Sequence, residues 1–152
     1  MSSDTPQKLE NQQQGLLRLV RFFETLSIVN LERIPLIYAQ DAWFKDPFNE
    51  VTGLPAIKQL FAHMFVQIDG PRFVVTHHMR QEDSAFLTWD FYFRMKRFST
   101  VEQCIRGATH CRFDHDGYVV YHRDYWDAAE ELYEKLPVLG GFMRVLKRAA
   151  RK

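Results

Sequence analysis

The segment AFLTWDFYF, residues 85–93, reads as a β-strand that is apolar on both faces. Successive side chains alternate, so Phe86, Thr88, Asp90 and Tyr92 share one face and Leu87, Trp89, Phe91 and Phe93 the other. Neither face suits water, so the sheet that contains this strand must be covered on both sides. Helices can cover one side; the other needs a second subunit or the C-terminal segment, because a large bare apolar patch is unusual. This reasoning predicts a homodimer built partly on Leu87, Trp89, Phe91 and Phe93.

Three further runs, RFVVTHHM, QCIRGATHCRF and YVVYHRDYW, have strand character, and RQEDS, KRFST and DHDG read as the turns between the four. Short turns between consecutive strands imply an antiparallel meander. Upstream, Leu16, Leu19, Val20, Phe23 and Leu26 recur at helical spacing and predict a long first helix after a polar, Gln-rich lead-in over residues 1–14. A short second helix is expected over 31–39, a strand over DAWFKDP, a turn over FNEVTG, and a third helix from Leu54 to about Ile68, stopped by Gly70 and Pro71. Asp127 is a candidate N-cap for a helix after Trp126. Pro137, Gly140 and Gly141 separate it from a basic amphipathic helix over 137–152. That helix is expected to dock on the domain or its partner, a membrane-surface contact being the less favoured alternative. The main domain spans 15–136.

A chain of 152 residues is one domain long and buries roughly 70% of its unfolded surface. Its 20 basic and 19 acidic residues nearly balance, which argues against nucleic acid as a partner. Thirteen Phe, six Tyr and three Trp suit either a deep core or a cavity for an apolar ligand. Cys104 and Cys111, seven apart on one strand, point to opposite faces and cannot bridge each other. With no disulfide framework and no apolar leader after Met1, a cytoplasmic location is expected.

The order helix, helix, strand YAQDAWFKDP, helix and meander, with RFDHDGYVVYHRDYW near its end, resembles the nuclear transport factor two-like superfamily. SnoaL-like cyclases, ketosteroid isomerases and limonene epoxide hydrolases belong to it. The resemblance covers about residues 16–126 and implies an α+β cone: a curved antiparallel sheet wrapped around N-terminal helices, with an internal pocket. On the isomerase pattern FKDP places the base at Asp46, while the two oxyanion donors fall on Phe22 and about Thr109. On the epoxide hydrolase pattern HRDYWD places the water-activating acid at Asp124. Its Arg-any-Asp pair then falls on Thr88 and Asp90, and its Tyr and Asn on Phe44 and Asp46.

The resemblance thus nominates Asp46, Asp90 and Asp124 as catalytic acids. Phe22, Phe44, Phe86, Thr88, Tyr92 and Thr109 are the candidate substrate-binding residues. In a shared apolar cavity the three acids could not all ionise cheaply, which makes a usable acid–base set. Each acid also has a structural reading. Asp46 before Pro47 fits a turn organiser, Asp90 a partner of Arg94 or Arg112, and Asp124 a partner of Arg106 or Arg123 or a helix cap. His77 and His78 alternate across a strand and make a poor metal pair, His122 receives no role, and neither metal nor cofactor is expected. The expected function is acid–base isomerisation, cyclisation or hydrolysis of a small apolar molecule. The alternative is a non-catalytic ligand-binding or assembly module.

Overall fold

The computed structural model describes residues 5–96, 101–131 and 148–150. Helix α1 runs over Pro6–Glu24, and a 3-10 helix over Val29–Leu36 leads into strand β1, Tyr38–Lys45. Then follow β2 (Glu50–Thr52), α2 (Leu54–Gln67), β3 (Ile68–Gln81) and β4 (Ser84–Met95). Strands β5 (Glu102–Phe113) and β6 (Val119–Tyr125) and a short α3 (Ala128–Glu131) complete the described order. The six strands form one open, curved sheet in the order β2-β1-β6-β5-β4-β3. The fold is α+β, as expected, but the sheet is mixed: β1 pairs with β6 in parallel, and every other neighbouring pair is antiparallel.

Several local expectations shift. Helix α1 begins at Pro6 rather than after the Gln-rich lead-in, because that run has work to do in the fold. Gln12 donates to the Asp114 carbonyl and Asn11 to the His115 carbonyl, tying the helix to the β5–β6 turn. The second helix is a 3-10 segment that ends before Tyr38, with Pro35 inside it. Within FNEVTG the residues Glu50–Thr52 pair with β1 instead of only turning. Gly70 and Pro71 lie inside β3, where the register with β4 shifts between Asp69 and Arg72. Asp127 does cap α3, accepting from the Glu130 amide at 3.1 Å. The tail expected over 137–152 lies outside the described residues apart from the helical, exposed 148–150.

The two faces of β4 are opposite to expectation. Leu87, Trp89, Phe91 and Phe93 are buried and belong to the core beneath the helices, so they cannot form the predicted dimer contact. They join the buried stripe of α1 (Leu16, Leu19, Phe22 and Phe23) and Ile57 and Phe61 of α2. Burying each such side chain stabilises by about 1.5–3 kcal/mol relative to leaving it exposed. Phe86 and Thr88 are exposed on the outer face, and Asp90 and Tyr92 are half-buried there. On that face an aromatic row crosses four strands. Phe86 stacks on His110 at 4.5 Å, His110 meets Tyr121 at 5.1 Å, and Tyr121 stacks on Trp43 at 4.9 Å. The alternation was right in period; only the assignment of faces was reversed.

Candidate active site

The inner face of β6 carries His122 and then Asp124. Register sets His122 against Phe44 of β1 and Cys111 of β5, and sets Asp124 against Thr109. These positions turn inward by strand alternation, into a wall of aromatic rings. Phe44 stacks on the His122 ring at 4.4 Å, and Phe23 meets the same ring edge-on at 5.7 Å. Phe61 lies 5.6 Å from Phe22 and 5.7 Å from Phe44, both edge-to-face, and closes the group from α2.

A chain of hydrogen bonds runs through this apolar setting. Tyr38 Oη lies 2.9 Å from His122 Nδ1, and His122 Nε2 lies 2.8 Å from Asp124 Oδ1. The Thr109 hydroxyl donates to the same Oδ1 at 2.6 Å, and Trp89 Nε1 donates to the Thr109 oxygen at 2.9 Å. Tyr38, His122 and Thr109 are fully enclosed, whereas the Asp124 side chain keeps 15% of its surface open. Asp124 Oδ2 has no hydrogen-bond partner among the described residues. Gly107 makes the Trp89 branch possible: a Cβ there would stand 2.4 Å from the indole ring, which crosses the strand at this bare position.

The structure brings together only part of the expected set. Phe22, Phe44, Thr109 and Asp124 converge on the inner face. Phe86, Thr88, Asp90 and Tyr92 do not, because they occupy the outer face of β4. There Thr88 bonds Thr76 at 2.7 Å, Tyr92 lies under the Arg72 guanidinium at 4.4 Å, and Asp90 stands opposite Val74 and Arg106 in the strand register. Asp46 follows β1 at the same end as Asp124, each one residue past the aligned pair Lys45 and Arg123. Its carboxylate is turned into its own loop, accepting from the Phe48 amide at 2.8 Å and the Asn49 amide at 2.7 Å. The turn-organising reading therefore describes Asp46, and the three acids do not share a cavity. Arg106 pairs with Glu131 at 3.3 Å, not with Asp90 or Asp124.

Sequence reasoning missed Tyr38 and His122. The available signal was the inward phase shared by His122 and Asp124, two apart on one strand. Among the described residues no group of three or more His, Cys, Asp or Glu is arranged to hold a metal ion.

Burial also raises two acids in this wall. The Tyr38 phenol is pushed well above its usual value by desolvation, with the Asp124 charge adding to it. The Cys111 thiol is pushed up to about 12, again mainly by burial. Both groups are held neutral in the fold and ionise more readily once unfolded. Their contribution to stability is therefore complete below the unfolded values and is lost as pH rises, for Cys111 from about 9 to about 12. Urea midpoints are expected to fall between pH 9 and 11, and Cys111→Ala is expected to flatten that fall. An identical slope in the variant would show that Cys111 is not a source.

Comparison with known proteins agrees with this architecture. The family model described as SnoaL-like domain matches residues 19–122. No curated protein matches the chain. An epoxide hydrolase of the limonene type from M. tuberculosis superposes with a TM-score of 0.66 at 11% identity, covering 91% of this chain and 97% of that one. A protein with a ketosteroid isomerase-like fold from Catenulispora acidiphila, solved with trimethylamine, gives 0.65 at 16% identity, with 84% and 91% covered. A candidate SnoaL-like polyketide cyclase from Shewanella putrefaciens gives 0.65 at 16% identity, with 84% and 97% covered. These likenesses are of fold. The family match spans most of the inner wall, from Leu19 of α1 to His122 of β6, and by it the chain belongs to the SnoaL-like domain family of the nuclear transport factor two-like superfamily.

Proposed function

We propose that the chain binds a small, largely apolar molecule against the inner wall and performs acid–base chemistry on it through Asp124. One observation carries this reading: a carboxylate held inside an aromatic wall has one oxygen saturated by two donors, and its other oxygen has no partner among the described residues. A carboxylate in apolar surroundings costs stability unless hydrogen bonds hold its charge, and here two short ones do. Its other oxygen is then placed to accept a proton from a bound molecule or from a water beside it. Isomerisation, cyclisation and hydrolysis all begin with such a step, and relatives of this fold are described by each of those names.

A ligand-binding role without turnover is the second reading. The observation in its favour is that Asp90 lies on the outer face and the Asp46 carboxylate is turned to the Phe48 and Asn49 amides, so neither is offered to the inner wall beside Asp124. Two probes separate the readings: deuterium incorporation from D2O into cyclohexanone, and hydrolysis of cyclohexene oxide, each followed by NMR. Saturable turnover of either probe supports the catalytic reading. Saturable binding of both with turnover of neither moves the function to binding alone.

A further inference from the structure

The hydrogen-bond chain has a direction, and it follows from what each group can do. An indole N–H can only donate, so Thr109 accepts from Trp89 and sends its own proton to Asp124 Oδ1. An ionised carboxylate can only accept, so the His122 nitrogen facing Oδ1, Nε2, carries a hydrogen. In a neutral imidazole Nδ1 is then bare, and the Tyr38 hydroxyl, 2.9 Å away, is its donor. Every proton in the chain points toward a single oxygen. Among the described residues the titratable groups facing His122 are Tyr38 of β1, Asp124 of β6 and Cys111 of β5; α1 and β1 otherwise present the uncharged rings of Phe23 and Phe44.

We propose that Tyr38 and His122 are positioning residues. Tyr38 locks His122 as the neutral Nε2–H tautomer, His122 and Thr109 together saturate Asp124 Oδ1, and Oδ2 is left as the oxygen that exchanges a proton with the bound molecule. In the step itself a C–H or O–H bond of the substrate breaks, its electron pair stays on the substrate, and the proton goes to Oδ2. Return of that proton to another substrate atom restores the carboxylate, so no external oxidant or reductant enters. Burial, which keeps the Tyr38 phenol protonated, is consistent with its role as donor. The inference rests on the catalytic reading of Asp124 for its chemistry, but its tautomer assignment stands or falls by itself.

The test is nitrogen NMR of the imidazole rings in the 15N-labelled protein, with His122 assigned by its absence in His122→Gln. The expected result is a neutral Nε2–H ring whose Nδ1 resonance shows an accepted hydrogen bond. In Tyr38→Phe that resonance is expected to move to the position of an unbonded imine nitrogen. With whichever probe turns over, Tyr38→Phe and Thr109→Val are each expected to lower kcat about tenfold, the effect of one lost hydrogen bond, with KM unchanged. An Nδ1–H ring, or an Nδ1 resonance unmoved by Tyr38→Phe, overturns the proposal whether or not a substrate is found, and so does an unchanged kcat in both variants. The expected NMR pattern with no turnover of either probe keeps the positioning network and instead removes the catalytic reading on which its chemistry rests.

Discussion

Gly117→Ala is expected to destabilise the fold by about 3–5 kcal/mol, and Gly15→Ala by about 1–3 kcal/mol. The two glycines form an interlock between α1 and the β5–β6 turn. A Cβ on Gly117 would lie 2.1 Å from the Asn11 carbonyl oxygen, and a Cβ on Gly15 would lie 2.1 Å from the Gly117 carbonyl oxygen. Both obstacles are backbone, so no side chain can swing aside. Gly117 also has φ of +89°, a conformation that disfavours any side chain. At Gly15 the gain in helix propensity, about 1 kcal/mol, offsets part of the clash. The same contact seats Arg18 on the Gly117 carbonyl and Gln12 on that of Asp114. Because one shift of α1 relieves both clashes, the double variant is expected to lose less than the sum of the single losses. Urea denaturation measures all three. Single losses below about 0.5 kcal/mol would mean that the helix and turn are not pressed together as described.

The fold was legible because its signals are periodic. The stripe from Leu16 to Leu26 made α1, the Leu54 to Phe65 run made α2, and four alternating runs made β3 to β6. The face of β4 that the helices cover was misassigned because the resemblance placed Thr88 and Asp90 in the pocket, although these two make theirs the more polar face. What decides it is a contact between strands: Trp89 needs the bare backbone of Gly107 beside it, on the side where Thr109 can receive its N–H. A glycine in the middle of β5 was the available clue. The parallel pairing of β1 with β6 was hidden for a similar reason, because it joins segments about eighty residues apart and leaves no local trace.

The candidate site divided along the same line. Asp124, Thr109, Phe44 and Phe22, nominated by the resemblance, converge on the inner face. Asp90, Thr88, Tyr92 and Phe86 inherited the reversed phase of β4 and lie outside. Asp46 has the right end of the sheet but turns its carboxylate to the amides of Phe48 and Asn49. Aspartate before proline commonly organises such a turn, and here that local demand prevails. Tyr38 drew no attention because nothing near it in the chain has a matching spacing, and His122 because its shared phase with Asp124, two residues on, was not used. Their partnership is created by the β1–β6 pairing alone.

Asp124→Asn is the most direct test of the account. It keeps the shape of the side chain and an acceptor oxygen toward His122 and Thr109 while removing the base. With the probe that turns over, the rate is expected to fall at least about 100-fold, the usual contribution of a positioned proton acceptor, with binding nearly unchanged. Asp90→Asn, on the outer face, is expected to stay within about twofold of the parent, as surface changes away from a site do. A parent-like rate in Asp124→Asn, or a comparable loss in Asp90→Asn, would contradict the assignment of the chemistry to the inner wall.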